Sequence, residues 1–242
     1  MANILCIETS AGVCSVALAV NGETVAVRES DQGRNHAGNI GVFADEILRA
    51  NDLNPEDLDA VAVSSGPGSY TGLRIGVSFA KGLCYGLQIP LIAVDSLEAL
   101  FEVARENNQA GIVSVGEWNK ALLTPMIDAR RMEVYTRVFD PEGKPLTEVE
   151  AKIVDSDSFA ELRQRVAAEG GEFVIFGDGA AKCRQVLEGV HYIEVAPSAC
   201  GLSRPAQRAY DREQWEDIAY FEPFYLKDFV VTKSQKNPLA KR

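Results

Sequence analysis

The sequence has little that would support metal, disulfide or membrane chemistry. Among its 242 residues there are only two histidines, His36 and His191, and neither has a second ligand at a spacing typical of a zinc site. The five cysteines form no CxxC pair and lie in apolar stretches, which is typical of reduced core residues in a cytosolic protein. No apolar run approaches the roughly 18 residues of a membrane span, and the first residues lack the features of a signal peptide. We therefore expect no metal site, no membrane contact and a cytoplasmic location.

Positive charge is also scarce, with 24 Lys and Arg residues against 35 Asp and Glu residues and a net charge of -11. An acidic surface repels phosphate backbones, so we expect no independent binding of nucleic acid. If the protein serves an RNA process, another subunit is expected to hold the RNA. The exception is the C-terminus, where residues 230–242 carry four cations and no acid, and are predicted to form a disordered basic tail. Its cations are Lys233, Lys236, Lys241 and Arg242.

The pattern of strands and helices divides the chain into two similar halves. The first half opens with a buried strand that ends at Glu8, followed by a hairpin at Asn21-Gly22 and an amphipathic helix over 36–51. After a polar break at 107–109, a second buried strand ends at Asp128 and another hairpin follows. Helices are predicted over 159–168, from the turn at Gly179 to about 187, and over 198–210. This order predicts an α/β protein of two duplicated lobes, residues 1–106 and 107–229.

Within the first half lies an unusual glycine-rich stretch, residues 61–87. A short strand and the loop SSGPGS lead into a helix over 71–87, in which small residues recur at every fourth position. An interior glycine costs a helix about 1 kcal/mol relative to alanine, so the pattern indicates that another backbone approaches closely. The approach could come from the protein's own sheet or from a partner helix, and the sequence leaves both open. The small residues are Gly72, Gly76, Ala80 and Cys84.

The acids and glycines at the strand ends suggest a phosphate-binding cleft between two lobes. Glu8 and Asp128 could hold a magnesium nucleotide from opposite sides, which leaves a small-molecule kinase as one hypothesis. No Walker lysine follows either glycine loop, and no GxSxG nucleophile elbow is present. Each glycine is weak support alone, because turns use glycine whatever they bind. The glycines that could let a phosphate or adenine approach are Gly66, Gly68, Gly177 and Gly179.

The motif SSGPGSYTGLRIG, together with ILCIETSAGVCSVAL and MIDARRMEVY, resembles the TsaB (YeaZ) family. The resemblance covers residues 1–140 with specific motifs and the later part more loosely, through FGDGAAK and PFYLKDF. It implies duplicated ribonuclease-H-like lobes of the actin/sugar-kinase/Hsp70-like (ASKHA) superfamily. It also implies a non-catalytic subunit that dimerises with TsaD, joined by the ATPase TsaE, for N6-threonylcarbamoylation of adenosine 37 in tRNA (t6A). A homodimer is expected where TsaD is missing. ATP or ADP with Mg is expected only in the assembled complex, and tRNA is expected to be contacted only indirectly.

The resemblance also implies roles for individual residues. TsaD-like proteins carry two metal-binding histidines after the glycine-rich helix, and here Ser96 and Leu100 stand at those positions, so neither a metal site nor a catalytic residue is expected. The kinase remains the alternative, and an M22-type glycoprotease is a remote one because its metal ligands are missing. The partner contact in the family is built from the first two helices, here 36–51 and 71–87. The residues carried over to it are Ile40, Gly41, Ala44, Gly72, Gly76 and Ala80.

Overall fold

A computed structural model describes residues 2–31 and 35–227, so the predicted basic tail lies outside the described residues. The described chain contains ten strands in two five-stranded sheets, with helices packed against them. Within this part no helix combines the length and apolar character needed to cross a membrane. The strands are β1 Asn3–Glu8, β2 Cys14–Val20, β3 Glu23–Ser30, β4 Ala60–Gly66, β5 Leu91–Asp95, β6 Leu122–Asp128, β7 Glu133–Thr136, β8 Glu150–Ile153, β9 Phe173–Phe176 and β10 His191–Tyr192. The helices are α1 His36–Ala50, α2 Tyr70–Leu87, α3 Ser96–Gln109, α4 Ala160–Ala168, α5 Ala180–Cys183 and α6 Ser203–Asp211.

The first sheet, which with its helices forms the first lobe, has the strand order β3-β2-β1-β4-β5. β1 pairs antiparallel with β2 and parallel with β4, and its residues from Ile4 to Glu8 are all buried. Asn21 and Gly22 both have positive φ, at 51° and 80°, as the predicted two-residue hairpin turn requires. On one face, α1 and α2 close a core around Ile7, Val63 and Ala80. β1 is therefore the buried centre from which the glycine-rich loop is positioned.

The second sheet, in the second lobe, repeats the same arrangement with shorter strands. Its order is β8-β7-β6-β9-β10, with β6 antiparallel to β7 and parallel to β9. β6 therefore takes the place of β1, and Asp128 ends it as Glu8 ends β1. The predicted α/β architecture of two duplicated lobes is confirmed.

Two helices, α3 and α6, each pack against the lobe to which the division of the sequence does not assign them. α3 follows the last strand of the first sheet, yet Leu97 and Phe101 on it pack into the core of the second. Conversely, Ala206 on α6 packs beneath the first sheet. The predicted boundary after residue 106 falls inside the last turn of α3, and the exact domain limits remain a prediction.

Two predicted helices differ from those observed. The helix predicted from Gly179 to about 187 is only the four-residue α5, because the chain then turns and buries Leu187 in the second lobe's outer core. The helix predicted over 198–210 begins as a 3-10 turn, Ala199–Leu202, and becomes α-helical only at Ser203. Pro205 then stands in the first helical turn, where its missing N–H breaks no hydrogen bond.

Candidate functional site

Two adjoining depressions dominate the side of the molecule where the strands of both sheets end. A cleft of about 670 Å³ separates the two lobes, and a groove of about 500 Å³ runs between α1 and α2. The two share Ala37, Tyr70, Thr71 and Ile75 in their walls, so they form one continuous surface feature. We call them the interlobe cleft and the α1–α2 groove.

Glu8, the first predicted cleft acid, lies below the wall of the interlobe cleft. Its side chain is buried and accepts the backbone N–H of Ser10, which itself lines the cleft. Burial raises the pKa of Glu8 from the ordinary value of 4.5 to about 7, and the bonds from Ser10 and Ser64 lower it only partly. A carboxyl group that is half protonated near neutral pH and bonded to its own turn is a poor ligand for a cation.

Asp128, the second predicted acid, does face the cleft, but a cation of the same chain already compensates it. Its carboxylate forms an ion pair with Lys182 and accepts the backbone N–H of Arg130 at 3.1 Å. The neighbouring carboxylate of Asp178 accepts the backbone N–H of Asp128 at 3.0 Å. Desolvation raises the pKa of Asp178, and the charge of Asp128 adds to this rise. The role of Lys182 was not predicted from the sequence, although the segment FGDGAAK contains this lysine just after the second glycine turn.

The four glycines predicted to admit a phosphate are instead required by the protein's own backbone. At each of them, an added Cβ would lie too close to a backbone atom from elsewhere in the chain. Of the four, only Gly68 lines the interlobe cleft. Their predicted role towards a nucleotide therefore remains a prediction without support from the geometry. The distances from an added Cβ are 2.4 Å to Phe224 O at Gly66, 2.4 Å to Ser10 O at Gly68, 2.4 Å to Met126 O at Gly177 and 3.0 Å to Asp128 N at Gly179.

The stripe of small residues on α2 faces inward, so its assignment to a partner contact remains a prediction without support from this packing. A Cβ added at Gly72 would lie 2.0 Å from the carbonyl oxygen of Thr9, and one at Gly76 would lie 2.3 Å from the Thr9 hydroxyl. Ala80 is fully buried in the first core. The close backbone approach that the glycines predicted is therefore made by the turn after β1. Of the α1 residues assigned to the same contact, Ile40 and Ala44 are buried and Gly41 is exposed.

The outward surface of the same two helices is the α1–α2 groove. Among the described residues its walls are mostly apolar and include one cation, Arg74, whose guanidinium carbon lies 5.5 Å from the centre of the Tyr70 ring. The helices expected to contact a partner thus do present an accessible surface, which shares only Ile40 with the predicted contact residues. The sequence carried a signal for this face, since 70, 74, 75, 78 and 79 recur at helical spacing. The groove is lined by Ala37, Ile40, Tyr70, Thr71, Arg74, Ile75, Ser78 and Phe79.

Residues 219–227, which we call the C-terminal strap, run from the first lobe across the interlobe cleft. Lys81 on α2 holds the beginning of the strap by donating to the carbonyl oxygens of Ala219 at 3.3 Å and Phe221 at 2.9 Å. Further along, the backbone N–H of Phe224 donates to Ser65 O at 2.7 Å. The strap is therefore fixed to both α2 and the glycine-rich loop.

The strap then reaches the second lobe. The ring of Tyr225 packs against the ring of Tyr70, with 4.7 Å between their centroids, at the place where the cleft meets the α1–α2 groove. Lys227, the last described residue, forms an ion pair with Glu133 of β7. Local sequence patterns do not predict these contacts, because they join residues far apart in the chain.

The positions that correspond to the metal-binding histidines have structural roles. The Ser96 hydroxyl accepts the backbone N–H of Gly66 at 3.1 Å, so it fixes the start of the glycine-rich loop. Leu100 is buried in the core of the second lobe. Over residues 2–31 and 35–227, no three His, Cys, Asp or Glu side chains are grouped so that they could hold a metal ion.

Comparisons with known proteins agree on one family. The family model described as TsaD, tRNA N6-adenosine threonylcarbamoyltransferase, matches residues 27–230. The chain is 33% identical to the tRNA threonylcarbamoyladenosine biosynthesis protein TsaB of Escherichia coli, over 95% of this chain and 96% of the relative. It is 39% identical to TsaB of Haemophilus influenzae in a match that spans only 54% of this chain and 51% of the relative. The solved structure of YeaZ from Pseudomonas aeruginosa has the same fold, with a TM-score of 0.76, 24% identity and coverage of 93% and 100%.

Proposed function

This chain belongs to the TsaB (YeaZ) family, and we propose that it is a non-catalytic subunit of the machinery that makes t6A in tRNA. In this role it pairs with the TsaD subunit, with TsaE joining the pair. The transferase chemistry belongs to the partner, and this chain supports it by binding.

The observation that carries the proposal is the α1–α2 groove. It is a mostly apolar depression of about 500 Å³ on the outer side of two helices of 15 and 18 residues. Exposed apolar surface on rigid helices is typical of a site that binds another protein. A homodimer through the same surface is the expected state where the partner is missing.

The non-catalytic part of the proposal is supported by what the candidate catalytic positions do. Ser96 holds the glycine-rich loop, and Leu100 fills the second core. Glu8 is buried beneath its own turn, and Asp128 is paired with Lys182. Each of these side chains already has a partner within the chain, which leaves the transfer chemistry to the other subunit.

A nucleotide at this subunit is proposed only for the assembled complex. In the interlobe cleft, the carbonyl of Phe224 occupies the space beside Gly66, and Lys182 neutralises Asp128. A magnesium nucleotide held by this chain alone would have to displace these contacts. For the same reason, the small-molecule kinase alternative gains no support from the site.

Light scattering tests the proposal directly, on this chain alone and mixed with TsaD from the same organism. We expect a new species at the summed mass. Ser78→Arg places a second large cation in the groove and is expected to weaken pairing at least tenfold, because its charge would be desolvated on binding. Gln164→Arg, the same charge at an exposed position of α4, should pair as the wild type does.

Two results would contradict the proposal at different levels. If the chain and TsaD remain separate even with TsaE and ATP present, the subunit role is wrong. If Ser78→Arg and Gln164→Arg both pair normally, the pairing stands but does not use the α1–α2 groove.

A further inference from the structure

We propose that the α1–α2 groove and the C-terminal strap are coupled through Tyr70, so that a protein packed in the groove holds the strap more firmly across the interlobe cleft. The inference rests on the proposed function in taking the TsaD subunit as the protein that fills the groove. It adds that the two depressions do not act independently, because binding in one fixes the strap that crosses the other.

Tyr70 is a residue at which the two depressions meet, since it lines both of them. It is the first residue of α2 and follows the N-cap Ser69, whose side chain accepts the backbone N–H of Gly72 at 3.3 Å. The backbone N–H of Ser69 in turn donates to Ser10 O at 2.6 Å. The backbone around Tyr70 is therefore fixed, and a response to what lies in the groove is expected of its side chain.

The Tyr70 side chain is contacted from both depressions. From the groove, Arg74 donates to the Tyr70 hydroxyl at 3.3 Å, and its guanidinium carbon lies 5.5 Å from the ring centre. From the cleft, the centroid of the Tyr225 ring lies 4.7 Å from that of Tyr70, within the range of attractive aromatic pairs. These contacts connect a wall of the groove directly to the strap.

Beyond its first residues, the strap is held by few contacts. Lys81 fixes it as far as Phe221. Further on, within the described residues, its backbone is bonded through the N–H of Phe224 to Ser65 O at 2.7 Å, and Lys227 forms a partly exposed ion pair. Segments with few contacts open locally at a low free energy, so we expect the strap to alternate between a docked and a released state.

The coupling follows from what the two strap states do to the groove wall. In the docked state the Tyr225 ring restricts the Tyr70 ring, so a protein that enters the groove meets a wall already in place. In the released state the same protein has to immobilise the Tyr70 side chain itself, which costs side-chain entropy. The protein therefore binds the docked state more tightly, and by linkage it stabilises the docked strap by the same factor.

Hydrogen exchange at the Phe224 amide measures the released state, because this N–H is bonded to Ser65 O when the strap is docked. Exchange is followed in the full chain by mass spectrometry with fragmentation that resolves single amides. Binding of TsaD should slow exchange at Phe224 about threefold or more. The amide of Glu216, which donates to Leu91 O before the strap begins, should be unchanged. Unchanged exchange at Phe224 in the bound chain would overturn the inference.

Two arginine variants test the internal connection without a partner, at concentrations where light scattering shows a monomer. Arg74→Ala removes the groove-side contact to Tyr70 and should speed exchange at Phe224 about threefold. Arg49→Ala removes the same side chain from an exposed position on α1, where it pairs with Asp45, and should leave this exchange unchanged. Equal rates in the wild type and both variants would refute the transmission through Tyr70.

A double-mutant cycle separates coupling from direct contact between TsaD and the strap. Tyr225→Ala should weaken pairing about fivefold while Tyr70 is present, and should have little further effect in a Tyr70→Leu background, which keeps an apolar wall without the ring pair. Tyr220→Ala, in the same strap but 84% exposed, should pair as the wild type does. If Tyr225→Ala weakens pairing equally in both backgrounds, TsaD contacts the strap itself and the inference is wrong.

Failure of the inference and failure of the proposed function give different results. If TsaD binds the wild type and the variants equally and leaves exchange at Phe224 unchanged, the subunit role stands and the coupling is refuted. If TsaD binds none of them, the proposed function fails, and the two arginine variants alone decide whether the groove and the strap are coupled.

Discussion

In the first lobe, β1 ends at Glu8, which is only 1% exposed. In the second lobe, the corresponding strand β6 ends at Asp128, which faces solvent. Glu8 is bonded to the turn that follows it, whereas Asp128 forms an ion pair with Lys182. The two strands hold equivalent places in two sheets of the same order. A duplicated motif has therefore kept its geometry while its two copies acquired different electrostatics.

The helices that follow these motifs differ even more. α2 has 18 residues and packs its small face onto the turn after β1, while α5, its counterpart after β9, has four. The second sheet is also reduced, with a last strand of only two residues. The long α1 and α2 give the first lobe an outer surface with room for another protein. The second lobe contributes a smaller core, joined to the first through α3 and the C-terminal strap.

Breaking the packing of α2 should have the largest effect. Gly72→Ala would place a methyl group 2.0 Å from Thr9 O, so α2 must move, and we expect the free energy of unfolding to fall by about 3 kcal/mol. In the second lobe, Gly179→Ala meets Val134 at 2.9 Å and Asp128 N at 3.0 Å, and should cost about 1–2 kcal/mol. Urea unfolding at one pH measures both.

Gly82→Ala is the matched control on the same helix. Nothing lies within 4 Å of a Cβ at this position, so the gain in helix propensity should stabilise the protein by about 1 kcal/mol. If Gly72→Ala were as harmless as Gly82→Ala, α2 would not be packed on the turn after β1, and the small stripe would be free for a partner after all.

The buried acid of the first lobe, Glu8, should link stability to pH. Because the pKa of Glu8 is raised from 4.5 to about 7, the folded state binds more protons than the unfolded state between these values. The free energy of unfolding should therefore decrease as the pH rises through this window, by about 3 kcal/mol in all. Glu8→Gln should remove this decrease, as measured by urea unfolding at pH 5, 6, 7 and 8.

Asp128→Asn serves as the comparison in the second lobe. Its carboxylate is half exposed and its ion pair with Lys182 is screened by solvent, so the loss should be below about 1 kcal/mol. A wild-type slope that survives in Glu8→Gln would mean that another group titrates in this window.

The sequence predicted the parts of this comparison that depend on local pattern. The two strands that end in acids, the Asn21-Gly22 turn and the duplicated order follow from hydrophobic runs and turn residues. The direction of the α2 stripe could not be predicted, because a neighbouring turn and a partner helix both require small residues. The contact at Gly66 could not be predicted either, because the space beside this residue is filled by Phe224 from the other end of the chain. Contacts of that kind leave no periodic signal in a single sequence.

A small effect is also expected at the connection between the lobes. Tyr225→Ala removes the ring that packs on Tyr70 and should lower the free energy of unfolding by about 1 kcal/mol, as measured by urea unfolding. Tyr220→Ala, in the same strap but 84% exposed, should have almost no effect.

The same variant tests whether the strap couples the two lobes. Trp118 packs against Phe101 in the second lobe's core, and Trp215 lies beside β5 of the first sheet, where Glu216 pairs with Leu91. Single-tryptophan forms, made with Trp215→Phe or Trp118→Phe, therefore report on one lobe each. With the strap intact, both reporters should show one unfolding midpoint, because two packed units that share a fixed connection unfold together. In Tyr225→Ala, the second lobe should unfold at lower urea than the first, since it has the shorter strands and loses the support of its neighbour. Midpoints that remain coincident would assign the coupling to α3 instead, which already places Leu97 and Phe101 in the second core.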